Sequence, residues 1–121
     1  MSHSRDALRC LGWVFDPDLG REQYAHGLLE AYRKTPTTAG RVRSADRRLA
    51  VWLFESGVPL SMVKAAFSLA AFRRTFRDPK AGPVHPIRSL HYFLPVLDEI
   101  RCEPIGPDYI RYVEWKLYGA A

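Results

Sequence analysis

The chain has 121 residues, of which 47% are hydrophobic and 26% charged, a globular balance that excludes a disordered or membrane-embedded class. A domain of this length buries roughly two-thirds of the surface its unfolded chain exposes, so folding requires neither a disulfide nor a metal. The net charge of +5 is moderate, but it is unevenly spread. Between Arg33 and Arg88 twelve Lys/Arg stand against three acids, while the rest of the chain carries six against ten. A basic middle between more acidic flanks points to an anionic partner, because each phosphate neutralised releases counterions. Arginine supplies most of that charge, and its planar fork suits phosphate.

In chain order, residues 1–19 show no sustained period. Leu8, Leu11, Trp13, Val14 and Phe15 are nevertheless too apolar for a free tail, and Leu11–Phe15 before Asp16-Pro17-Asp18 predicts a short extended segment, with a helix over Arg5–Leu11 as the alternative. The stretch Ala7–Val14 is too short and too interrupted for a signal peptide, so a cytoplasmic location is expected. Cys10 and Cys102 are then expected as reduced thiols, and without CxxC spacing they predict no metal site.

Tyr24, Leu28 and Tyr32 recur at i, i+4 and i+8 and predict a first helix over Arg21–Lys34. Thr35–Gly40 is a loop. A second helix is predicted over Ala45–Ser56, with Ser44 as N-cap, Asp46 in the first turn, Leu49, Trp52 and Leu53 on the apolar face, and Gly57 closing it. Pro59 fits the first turn of a third helix. From Leu60 to Ala71 that helix has little polar circumference, which places it at the centre of the fold. The longest apolar stretch, Val58–Phe72, falls short of the ~20 apolar residues of a membrane span.

Asp78–Pro86, with three prolines, is a connection. A fourth helix follows, with Leu90, Phe93, Leu94, Leu97 and Ile100 at helical spacing and a kink or restart at Pro95. A last helix is predicted over Pro107–Tyr118, ended by Gly119. The expectation is a single all-α domain over residues 1–121, a bundle of four to five helices with a short extended N-terminal segment.

The helix pair around Gly57 has the steric skeleton of a helix-turn-helix, but its second helix offers only Ser61, Lys64 and Ser68 before Arg73 for reading bases. An ordinary αα-hairpin is the preferred reading. If the two helices lie antiparallel, Arg41, Arg43, Arg47 and Arg48 at the start of one meet Arg73, Arg74 and Arg77 at the end of the other, which makes an arginine patch for phosphate. Arginines at a helix C-terminus also complement its dipole, a structural reason for the second group. Between Pro86 and Pro95, Arg88 extends the basic set, Ser89 caps a helix, and His91 and Tyr92 can face a ligand, Tyr92 by stacking on a base.

His3, His26, His85 and His91 form no ligand spacing, and no nucleophile elbow or phosphate loop is present, so neither an enzyme nor a cofactor is expected. Tyr109, Tyr112, Trp115 and Tyr118 form a stripe at spacing three, which reads as core or as a surface for a protein partner or self-association through Tyr112 and Trp115.

The stretch SADRRLAVWLFESGVPLSMVKAAFSLAAFRR, followed after a Pro-rich loop by PIRSLHYFLPVLDE (Ser44 to Glu99), resembles helical segments of DnaD-like and replication-initiation proteins of phages and mobile elements. The resemblance implies a DNA-associated accessory module without chemistry of its own. The functional expectation is therefore a non-enzymatic DNA-binding accessory protein that contacts phosphates through arginines. The alternative is a protein-interaction or assembly module that uses the aromatic C-terminal helix.

Overall fold

Helix α1 (Arg21–Lys34) buries the predicted stripe Tyr24, Leu28 and Tyr32. In the computed structural model, which describes residues 19–77, 85–102 and 106–119, it lies between α2 (Ser44–Glu55) and α3 (Leu60–Thr75) and packs on both. A 3-10 turn over Leu90–Phe93 leads into α4 (Leu94–Cys102), and α5 (Pro107–Tyr118) packs along α3. The all-α bundle is thus as expected. The extended segment or helix anticipated before Leu19, Cys10, and residues 78–84 of the proline-rich connection lie outside the described residues.

α3 is the axle of the molecule. Met62, Val63 and every residue from Ala65 to Ala71 are buried, and Lys64 alone in that run reaches solvent. A helix without a polar face needs neighbours all round, and α1, α4, α5 and the 3-10 turn supply them. Phe67 meets Phe93 edge-on at 4.7 Å, and Tyr32 meets Phe93 at 5.9 Å, so one aromatic cluster ties α1, α3 and the 3-10 turn. α1 and α3 come so close that a Cβ on Gly27 would sit 3.3 Å from Leu60 Cδ2.

Four local expectations need correction. α2 and α3 do not pair as a close hairpin; each packs on α1 instead. Gly57, with φ of 76°, ends α2 in a Schellman motif, Val58 N–H donating to Leu53 O at 3.2 Å and Gly57 N–H to Phe54 O at 3.1 Å. Ser44 is the first residue of α2 and not its cap; Asp46 reaches back to Arg43 N–H instead, at 2.9 Å. Trp52 is 55% exposed, so the buried face of α2 is Asp46, Leu49, Ala50 and Leu53. Pro59 stands as the N-cap of α3, one position before its first turn. Pro95 does interrupt the fourth helical pattern: a 3-10 turn precedes it, and the α-helix restarts at Leu94 with Pro95 in its first turn, where no backbone donor is needed.

Two tyrosines on α1 differ in how their hydroxyls are placed. Tyr24 donates to the carbonyl of Val58 at 2.7 Å, and burial pushes its phenol well above the usual range. The hydroxyl of Tyr32 is buried without a hydrogen-bond partner among the described residues, and its pKa is raised by burial first and by the charge of Asp46 second.

Candidate nucleic-acid interface

The interface is built on Asp46. Its carboxylate is 1% exposed and holds two backbone donors, Arg43 N–H through Oδ2 at 2.9 Å and Leu90 N–H through Oδ1 at 3.0 Å. A negative charge in the first turn of α2 complements the helix dipole. Here it also binds a segment more than forty residues away. Beside it, Ile87 forms a parallel bridge with Thr38, with Ile87 N–H donating to Thr37 O and Ala39 N–H to Ile87 O, both at 2.8 Å. Loop 35–43 and segment 85–92 therefore run side by side.

This pairing sets Arg88 beside Arg41 and Arg43 around a pocket of about 350 Å³. All three side chains are exposed, and no carboxylate among the described residues lies within ion-pair distance of any of them. Three uncompensated guanidiniums at one opening make a field suited to phosphate, each able to present two parallel N–H groups.

On the other side of segment 85–92 lies the end of α3. Phe93 turns inward and Tyr92 outward, 44% exposed. Arg74 donates to the Tyr92 hydroxyl at 3.1 Å and stands 5.3 Å from the centre of that ring, while its other terminal nitrogen donates to the carbonyl of His85. Arg73 makes two hydrogen bonds to Glu99 on α4, at 2.7 and 2.5 Å. Those bonds hold the Glu99 carboxyl below its ordinary value against the opposing effect of burial. A groove of about 790 Å³ opens here, with Ala70, Pro95 and Val96 as apolar lining and Arg73, Arg74 and Arg77 beside His91 and Tyr92.

Arg74 also lines a smaller pocket of about 210 Å³, with Thr37, Thr38 and Pro86. Thr37 holds a φ of 74°, an unfavourable backbone region for a β-branched residue. Its hydroxyl and the Nε of Arg74 are both buried without a hydrogen-bond partner among the described residues, two groups able to donate to an oxyanion.

The arginines predicted from sequence fall into two groups beside segment 85–92: Arg41, Arg43 and Arg88 line one opening, and Arg73, Arg74 and Arg77 line another with Tyr92. Arg47 and Arg48 are exposed on α2 but line none of these three cavities. The helix-turn-helix alternative fails on burial, since from Met62 to Ala71 α3 shows solvent only Lys64 and has no polar face to lay in a groove. Sequence inspection missed Asp46 as a tertiary clamp, Glu99 as the partner of Arg73, and Thr37. Only the first left a trace, as the one acid in a basic stretch.

On α5, Ile110 and Val113 face the core, while Tyr109, Tyr112, Trp115 and Tyr118 are each about half exposed. Neighbouring rings along it stand 6.2 Å (Tyr109 to Tyr112) and 6.4 Å (Tyr112 to Trp115) apart. Among the described residues no helix is long and apolar enough to cross a membrane, and no three His, Cys, Asp or Glu side chains gather as metal ligands do. Compared with protein families, curated proteins and solved structures, the chain finds no match.

Proposed function

We propose that the chain is a non-enzymatic DNA-binding accessory protein that holds backbone phosphates where loop 35–43, segment 85–92 and the last turn of α3 meet. The observation that carries this reading is the trio Arg41, Arg43 and Arg88, exposed around one opening with no carboxylate of the described residues at ion-pair distance. Surface guanidiniums without an internal partner keep their full attraction for a polyanion. The setting in replication or mobile elements rests on the resemblance of Ser44–Glu99 alone.

A salt titration of binding to labelled DNA tests it. Affinity should fall steeply and linearly with salt on logarithmic axes, at a slope near −0.9 per phosphate contacted on a duplex and about −0.7 on a single strand. Binding that is absent, or indifferent to salt, ends the proposal.

A second reading is favoured by the aromatic stripe of α5. Tyr109, Tyr112 and Trp115 form a continuous exposed row, and exposed aromatic patches mark protein contacts. In this reading α5 docks a partner protein or a second copy of the chain. A solution mass above that of the monomer, or a co-purifying partner, should then be lost in Tyr112→Ala and Trp115→Ala.

A further inference from the structure

We infer that the groove between the end of α3 and the start of α4 receives a single unstacked base of a single-stranded nucleic acid, so that single strands and not duplexes are the substrate of the interface; this rests on the polyanion reading above. Several features of the groove converge on it. At about 790 Å³ it has the size of a small-molecule site. Its lining is apolar where Ala70, Pro95 and Val96 contribute, as the face of a base requires. Arg74 lines it beside Arg73 and Arg77, with Arg73 held by Glu99, and its guanidinium reaches the groove where an attached phosphate would lie.

Tyr92 supplies the stacking surface. Its ring remains 44% exposed although its hydroxyl and one approach are fixed by Arg74, so it is oriented before any ligand arrives. Orientation in advance lowers the entropic cost of stacking. A duplex keeps its bases inside and can offer this groove phosphate only; α3, walled in by its neighbours, cannot enter a major groove to reach them. A flexible strand can place one base in the groove and carry its backbone towards Arg88. That path passes the 210 Å³ pocket where the Thr37 hydroxyl and Arg74 Nε have no hydrogen-bond partner among the described residues.

The test is fluorescence anisotropy on the full chain at one salt concentration with four labelled probes: a deoxythymidine oligomer, the matching uridine oligomer, an abasic strand of equal length, and a duplex. An intact strand of one or both sugars should bind at least about five-fold more tightly than the abasic strand, since one stacked base contributes about that much or more. Tyr92→Ala should remove the difference, Tyr92→Phe should retain it, and Val96→Trp, which fills the groove, should remove it as well. Circular dichroism of each variant confirms folding. Equal affinity for intact and abasic strands, or an unchanged preference in both Tyr92→Ala and Val96→Trp, overturns the inference while leaving phosphate binding intact. Failure to bind any probe overturns the proposed function with it.

Discussion

The carboxylate of Asp46 and the backbone N–H of Leu90 meet at 3.0 Å in the interior, 44 residues apart in sequence. Through this bond the start of α2 and the 3-10 turn are held as one unit, and Arg43 and Arg88 flank it. Replacing Asp46 by Ala leaves two backbone donors without an acceptor, one of them buried. The expected cost is about 2–4 kcal/mol of folding stability, read as a lower urea midpoint with an unchanged slope. A loss below about 0.5 kcal/mol would mean that water takes over both bonds.

The same substitution should act in opposite directions on two tyrosines of α1. Tyr24→Phe removes a buried bond to the carbonyl of Val58 and should cost about 1 kcal/mol. Tyr32→Phe removes a hydroxyl that has no hydrogen-bond partner among the described residues, and should leave stability unchanged or raise it by up to about 1 kcal/mol. Chemical denaturation of both variants side by side checks the contrast. Because both phenols have their folded pKa raised, their contribution is fully present below the ordinary value of 10.0 and is lost as pH climbs beyond it, so alkaline unfolding should accompany phenolate absorbance.

Phosphate binding should depend on position and not on charge number alone. Arg43→Ala with Arg88→Ala removes two guanidiniums from one opening and should lower the salt slope of binding by about 1–2, uniformly across sequences. Arg47→Ala with Arg48→Ala removes the same charge from a surface outside the three cavities described above, and the change in affinity should be smaller. Equal losses in a fluorescence titration would indicate a diffuse basic surface.

The Arg73–Glu99 pair should show a pH signature. The folded pKa of Glu99 is depressed, so the pair's contribution is complete above the ordinary value of 4.5 and disappears as pH falls through the lower folded value. Both side chains are partly exposed, 46% and 30%, so solvent screening limits the effect. Glu99→Gln should cost about 0.2–1 kcal/mol at neutral pH, and the difference from the parent chain should vanish in acid. A pH-independent difference would assign the effect to packing.

How far these features could be read from residues alone depended on how local their causes are. α1 and α5 end where predicted because Tyr24, Leu28 and Tyr32 repeat along one face and because Pro107 and Gly119 punctuate the other helix; both signals lie within the element itself. Trp52 was misplaced because its spacing from Leu49 is helical, yet the side of α2 that meets α1 is narrow and Asp46 takes part of it. The hairpin failed for a similar reason: the shortness of the Gly57 turn says nothing about which neighbour each helix packs on. At the interface, Arg41, Arg43 and Arg88 were visible as charge, but the bonds that gather them, Asp46 to Leu90 and Thr37 to Ile87, cross the chain and leave no period to detect.

Lys64 is the one residue between Met62 and Ala71 that meets solvent, and this leaves α3 a single workable seating. Deleting one residue near the start of that helix turns everything after it by about 100°, which would carry the Lys64 ammonium into the buried place now held by Val63. The innermost helix is thereby locked in register by a lone lysine, and alternative threadings of the bundle are closed off by charge as well as by shape.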